Sequence, residues 1–205
     1  MKILSRIKAF TLIELLVVIS IIAILASLAL PAVMSAVAQG QMTQTMSNMK
    51  QLHLVTQQMA MDSTTTGDTN IGWPGDLASK TFTGWATAIL GGYMSTNDFA
   101  KMMSASGVTA PQNQDPTKLV AGDKKGRALL VYPVSETNSA STVLLTTSNF
   151  TNSTNGGTAP KPEALPYGNK GFVVFRKGGD GVVLKANQTG VQYTNIIGAN
   201  AGAPN

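Results

Sequence analysis

A single carboxylate, that of Glu14, lies within a long apolar run near the start of the chain. From Phe10 to Leu30 there are 21 residues, and Glu14 is the only ionisable side chain among them. A carboxylate at membrane depth costs roughly 2.5–3.5 kcal/mol on insertion scales, so such residues are rare and usually functional. We therefore expect Glu14 to have a partner of opposite charge.

The residues before the run provide such a partner. The small residue Ala9 stands immediately before Phe10, and cleavage between the two would free an α-amine on Phe10 while keeping the apolar segment. This amine is cationic around neutral pH and would offset much of the desolvation of Glu14, on its own chain or on a neighbouring copy. An ordinary signal peptide is a poor match, because its apolar region is shorter and ends at the cleavage site. The leader that would be removed is basic, with Lys2, Arg6 and Lys8.

These residues closely resemble the amino terminus of the type IV pilin superfamily, which includes the pseudopilins of type II secretion. The shared features are the basic leader, Ala9, the sequence FTLIEL from Phe10 to Leu15, and an unbroken apolar helix. The resemblance implies that a prepilin peptidase cuts before Phe10 and methylates the new amine, and that Glu14 forms the assembly salt bridge. Family members prefer Gly before the cut, where this chain has Ala9. Pro31 stands where members commonly carry a helix-kinking proline.

The helix predicted from this run is apolar on all sides at first and amphipathic further along the chain. As a helix the run spans about 32 Å, enough to cross a hydrocarbon core of about 30 Å. Pro31 predicts a kink or local melting. Beyond it, apolar residues recur at steps of three and four opposite a Gln-rich face, which predicts an amphipathic helix to about Asp62. The predicted stripe contains Val33, Val37, Met42, Met46, Met49, Leu52 or His53, Thr56 and Met59.

The remaining residues, 63–205, have the size of one soluble domain. Turn formers predict a loop over 63–84, anchored by Trp73 and Trp85. Two short helices are predicted at WATAIL and TNDFAKMMSASG, the second capped by Thr96 or Asn97 and ended by Gly107. Two strands are predicted at ALLVYPV and STVLLTT, a hairpin at GFVVFRKGGDGVVLKA, and a further strand at GVQYTNII.

The fold predicted from these elements is α+β and pilin-like. A long amino-terminal α-helix, its apolar half membrane-spanning, packs on a small antiparallel β-sheet, because this arrangement buries both apolar faces. The predicted segments are a cleaved leader (1–9), a transmembrane and assembly helix (10–31), its amphipathic continuation (32–62) and a globular α+β domain (63–205).

The composition does not favour a catalytic function. The chain has no Cys and one histidine, His53, and no paired carboxylates at useful spacing, so we expect no enzyme activity, no catalytic residues, no metal site and no cofactor. Six Met residues between Met34 and Met61 are interpreted as core filler rather than a copper or haem site. His53 is interpreted as a partly buried polar residue where the helix meets the sheet.

Two further patterns have a structural and a functional interpretation. Asp180 in the hairpin turn could bind calcium with Asp68 and Asp76, but a plain turn is preferred because a hard cation needs about six to eight oxygens. Residues 135–158 are rich in Ser and Thr and contain glycosylation sequons at Asn149 and Asn152. We expect an exposed loop there first and a glycan second.

The charge of the chain does not predict nucleic acid as a partner. Removing the three basic leader residues leaves 12 basic residues against 10 acidic ones, out of 15 and 10 in the whole chain. The local cluster of Lys124, Lys125 and Arg127 is interpreted as a solvated turn. Charged residues make up only 12% of the chain, which suits an extracytoplasmic surface.

The resemblance and the residues together lead to one main functional hypothesis. The chain is expected to be a structural subunit of a type IV pilus-like or type II secretion pseudopilus filament. Expected partners are a prepilin peptidase, membrane lipid, copies of itself and other pilins, and an inner-membrane assembly platform. The expected location is the bacterial inner membrane, with the carboxy-terminal domain outside the cytoplasm, and then a periplasmic or extracellular filament. The alternatives are a minor or tip pilin that binds surfaces, DNA or secreted cargo, and an enzyme or sensor domain on a membrane anchor.

Overall fold

The computed structural model describes residues 10–112, 115–153, 157–161, 163–190 and 193–204. The chain forms two compact units, Met1–Ala38 and Gln39–Asn205. Helix α1, Leu12–Thr66, contributes residues to both. The fold is mixed α+β, with a long amino-terminal helix and a four-stranded antiparallel sheet, as predicted.

In the first unit, the described residues form an apolar helix without a protein core. Every residue from 10 to 37 is exposed, and Leu12 exposes 87% of its surface. Among the described residues, α1 is long and apolar enough to cross a membrane by length and composition. The backbone stays helical through Pro31, so the structure shows no local melting there.

In the second unit, the α1 residues from Gln39 onward are amphipathic. Met42, Met49, Leu52 and Met59 lie in the core, and Met46 packs against it. This part of the predicted stripe is confirmed, whereas Val33 and Val37 are exposed. The change follows from the sequence, because apolar residues occupy every side of the helix before Gln39 and one side after it.

Helix α1 ends at Thr66, four residues beyond the predicted end at Asp62. The hydroxyls of Thr64, Thr65 and Thr66 donate to the backbone carbonyls of the preceding turn, at 2.8, 3.0 and 2.8 Å. These side chains satisfy helical carbonyls instead of breaking the helix. Gly67 then ends it with a φ of 74°, a conformation that favours glycine.

The sheet is built from four antiparallel strands in chain order. They are β1 (Leu129–Val131), β2 (Val143–Thr147), β3 (Phe172–Arg176) and β4 (Gly181–Leu184). The predicted β3–β4 hairpin is confirmed, with Phe175 opposite Gly181 and Phe172 opposite Leu184. β1 is shorter than predicted and ends before Pro133, which has no backbone N–H for the ladder.

The two predicted short helices are α2 (Phe82–Leu90) and α3 (Thr96–Met102). The predicted caps of α3 are wrong. Ser95 is the amino-terminal cap and accepts from the N–H of Asp98, and the helix ends at Met102, with Met103 rather than Gly107 as its carboxy-terminal cap. One-turn 3-10 helices lie at Pro116–Lys118 and Gly168–Lys170.

The strand predicted at GVQYTNII is also wrong. Its final residues form a short helix, α4 (Thr194–Ile197), while residues 191 and 192 lie outside the described residues. The guanidinium of Arg176 donates hydrogen bonds to the carbonyls of Ile196 and Ile197, where a strand would bond to the backbone of its neighbour. Pairing with Thr142 begins only at Ala199.

The core of the second unit is centred on aromatic side chains next to α1. Phe82, Trp85 and Phe99 pack with ring centroids 5.9 to 6.3 Å apart. The indole N–H of Trp85 donates to the hydroxyl of Thr56 at 3.1 Å, and both side chains are fully buried. Buried donors need an acceptor, so this hydrogen bond ties α1 to α2.

Replacing Thr56 with Val should destabilise the second unit by about 1–3 kcal/mol, because the buried indole N–H would lose its acceptor. The measurement is chemical unfolding of the full chain in detergent micelles, followed by tryptophan fluorescence. Thr43→Val is the matched control, since Thr43 is exposed and its hydroxyl only donates to Gln39 in the preceding turn. Equal unfolding midpoints for the two variants would contradict this role of Thr56.

Candidate functional site

The carboxylate of Glu14 is held at the start of α1 by Thr11. Glu14 Oε2 accepts hydrogen bonds from the Thr11 backbone N–H at 2.9 Å and from the Thr11 hydroxyl at 2.7 Å. The Thr11 oxygen in turn accepts from the Glu14 backbone N–H at 3.3 Å. This reciprocal pattern is a capping box, in which the first and fourth residues satisfy each other's backbone donors.

This capping box is not among the features predicted from the sequence. Its signal is present as Thr-x-x-Glu at positions 11–14, directly before an apolar helix. The structure therefore identifies a partner for Glu14 within its own chain. A carboxylate at a helix amino terminus is also stabilised by the helix dipole, so Glu14 is partly compensated within its own chain.

A shallow apolar groove lies beside Glu14. Its volume is about 350 Å³, and it is lined by Phe10, Ile13, Glu14, Val17 and Val18. Glu14 is the one polar side chain in this lining. A negative charge at the edge of an apolar groove is complementary to a ligand that carries a cation next to an apolar group.

The structure describes only one of the two predicted cleavage-site residues. Ala9 lies outside the described residues, whereas Phe10 is described and exposes 72% of its surface. In the described structure the ion pairs are Lys118–Asp115 and Arg176–Asp180. Glu14 thus has no cationic partner among the residues that the structure describes.

His53 is buried at the junction of α1 with the β3–β4 hairpin. Its Nε2 donates to the carbonyl of Lys177 at 2.7 Å, and its ring packs against Trp73 and Phe175 with centroid distances of 5.9 and 5.5 Å. The predicted structural role where helix meets sheet is confirmed. Its burial is deeper than predicted, with 5% of the surface exposed.

Asp180 lies in the hairpin turn and forms an ion pair with Arg176. The other two carboxylates considered for calcium are engaged locally: Asp68 accepts from Asn70 at 2.8 Å, and Asp76 accepts from the backbone N–H of Glu136 at 2.6 Å. Among the described residues, no group of three or more His, Cys, Asp or Glu side chains is arranged to hold a metal ion. In the turn, Asp180 therefore pairs with the guanidinium of Arg176.

The basic cluster of the sequence separates into two environments. Lys124 and Lys125 are exposed in a turn, as predicted. Arg127 is instead buried, with its guanidinium 3.7 Å from the centroid of the Phe82 ring. Burial lowers the pKa of Arg127 from its usual range to about 10, so the side chain stays cationic at neutral pH. Arg127 therefore belongs to the core rather than to a nucleic-acid surface.

The sequon asparagines are buried, which contradicts the predicted exposed loop at these positions. Asn149 and Asn152 expose 8% and 2% of their surface. The amide nitrogen of Asn149, the atom that a glycan would modify, donates to the carbonyls of Gly168 at 2.9 Å and Gly171 at 2.8 Å. Strand β2 also crosses this segment and buries all its residues.

The sequence matches the family model for the prokaryotic N-terminal methylation motif over residues 4–30. This motif is the type IV pilin and pseudopilin signature. It includes Ala9, Phe10, Thr11 and Glu14, and none of the second unit. No curated protein and no solved structure matches the chain.

Replacing Asn149 with Asp should destabilise the second unit by at least about 2 kcal/mol, because a carboxylate would face two carbonyls that now accept hydrogen bonds. Asn97→Asp is the control, since Asn97 is exposed in the first turn of α3, where a negative charge is favourable. Unfolding midpoints in detergent micelles measure the difference.

Wild-type protein secreted by a glycosylating host should also carry no glycan on Asn149, and a glycopeptide at this residue would contradict its buried role.

Proposed function

We propose that this protein is a structural subunit of a type IV pilus-like or type II secretion pseudopilus filament. A prepilin peptidase processes it, and it polymerises through its amino-terminal helix. One observation supports this proposal above all: the methylation motif, at residues 4–30, coincides with the apolar part of α1, whose residues from 12 to 37 are exposed and in which the carboxylate of Glu14 is held at the first turn.

The uncovered helix requires an apolar environment. Moving one large apolar side chain out of water contributes roughly 1.5–3 kcal/mol, and residues such as Leu12, Ile13 and Leu28 expose at least 70% of their surface. Before assembly, lipid covers this surface. In the filament, the helices of neighbouring subunits replace lipid.

Processing supplies the charge that Glu14 lacks within the described chain. Cleavage between Ala9 and Phe10 leaves an α-amine on Phe10, and methylation of this amine retains the positive charge. In the filament, the amine of one subunit meets Glu14 of the next, while the Phe10 ring occupies the apolar groove beside it. Each subunit both provides and accepts this contact, so the assembly is open and grows without closing.

The leader sets the orientation in the membrane. Lys2, Arg6 and Lys8 precede the apolar run, and positively charged flanks remain in the cytoplasm. The second unit then lies outside the cytoplasm, where it forms the part of the subunit that faces solvent. An inner-membrane assembly platform extracts the processed subunit into the filament, where Pro31 allows the helix to kink.

The first test is the intact mass and amino-terminal sequence of the protein produced with a prepilin peptidase. We expect a product that begins at Phe10 and is heavier by one methyl group. Ala9→Gly should be processed at least as well, and Ala9→Leu should stay uncleaved because the larger side chain does not fit a small-residue site. A wild-type product that still begins at Met1 would reject the proposed processing.

The second test concerns the charge of Glu14. Glu14→Gln keeps a side chain that can complete the capping box but removes the charge, so we expect normal cleavage and a loss of filaments by at least about tenfold. Electron microscopy and the filament fraction after shearing and sedimentation measure the yield. Ser20→Ala is the control within the same helix, because the Ser20 hydroxyl only donates to Leu16 in its own helix. Filaments of Glu14→Gln at wild-type yield would contradict the assembly role of this carboxylate.

A further inference from the structure

Thr11 leaves the two carboxylate oxygens of Glu14 in different states. Oε2 accepts both hydrogen bonds from Thr11, one from the backbone N–H and one from the hydroxyl. No hydrogen bond or ion pair reaches Oε1 among the residues that the structure describes. One oxygen is thus anchored to the helix, and the other is open to a donor from outside the chain.

This arrangement limits the freedom of a flexible side chain. A free glutamate samples many rotamers, and binding a partner would require it to lose that freedom. The hydroxyl of Thr11 holds the carboxylate at 2.7 Å before any partner arrives. A preorganised group binds more tightly because less order remains to be imposed on binding.

We propose that Thr11 is a positioning residue, which fixes Glu14 so that Oε1 faces the incoming amine of a neighbouring copy. This inference rests on the proposed filament function and adds a residue to it. Thr11 does not contact the amine but acts through Glu14. The hydroxyl also compensates the carboxylate inside the membrane, where unpaired polar groups are expensive.

The test compares two substitutions of nearly the same size. Thr11→Val keeps the branched shape and removes the hydroxyl, whereas Thr11→Ser keeps the hydroxyl. Filament yield is divided by the amount of cleaved, methylated subunit from intact mass, so that any effect on processing is removed. A hydrogen bond to a charged group contributes about 1.5–3 kcal/mol, so Thr11→Val should lower this ratio roughly tenfold or more. Thr11→Ser should stay within about twofold of wild type.

A double-mutant comparison separates positioning from helix capping alone. If Thr11 acts through the charge of Glu14, Thr11→Val should cause little further loss in a Glu14→Gln background, measured as incorporation of the tagged variant into wild-type filaments. An equal further loss in both backgrounds would show that Thr11 only caps the helix and would overturn the inference. If the wild-type protein forms filaments and the Thr11→Val variant forms them at the same yield, the inference would also be overturned, while the proposed function would remain intact. A wild-type protein that is processed but forms no filaments would overturn both.

Discussion

The need to cover an apolar helix is the constraint on which the rest of the structure depends. The residues from 12 to 37 form a helical segment that is apolar on all sides and exposed along its whole length. Apolar cover alone is not specific, since lipid and other helices provide it equally well. In the proposed filament, Glu14 would add specificity, because a carboxylate in an apolar environment distinguishes a partner with a cation from one without.

The second unit has a hydrophobic core of its own. The α1 residues from Gln39 onward bury one face, and Thr56 and His53 make hydrogen bonds to Trp85 and to the β3–β4 hairpin. One helix thus serves two environments along its length. The difference arises from the distribution of apolar residues, which surround the helix before Gln39 and lie on one side of it afterwards.

Several side chains that the sequence offered as candidate functional residues have structural roles in the folded protein. His53 donates to a backbone carbonyl between two aromatic rings, Asp180 pairs with Arg176, and Asn149 satisfies two carbonyls. Arg127 lies on the Phe82 ring inside the core. Each is engaged by neighbours that are distant in sequence or held in turns, which leaves Glu14, at the start of the apolar helix, as the best supported functional candidate.

The sequence by itself determined the apolar helix, the isolated Glu14, the amphipathic stripe from Met42 and the β3–β4 hairpin, because these depend on periodicity, turn residues and local composition. It also contained the Thr11–Glu14 capping signal, which spacing alone could have revealed. Only the tertiary structure decided that Asn149 is buried and that the residues before Gly198 form α4 instead of a strand. Those outcomes depend on contacts such as Arg176 with Ile196, and such distant pairings leave no periodic signal in the chain.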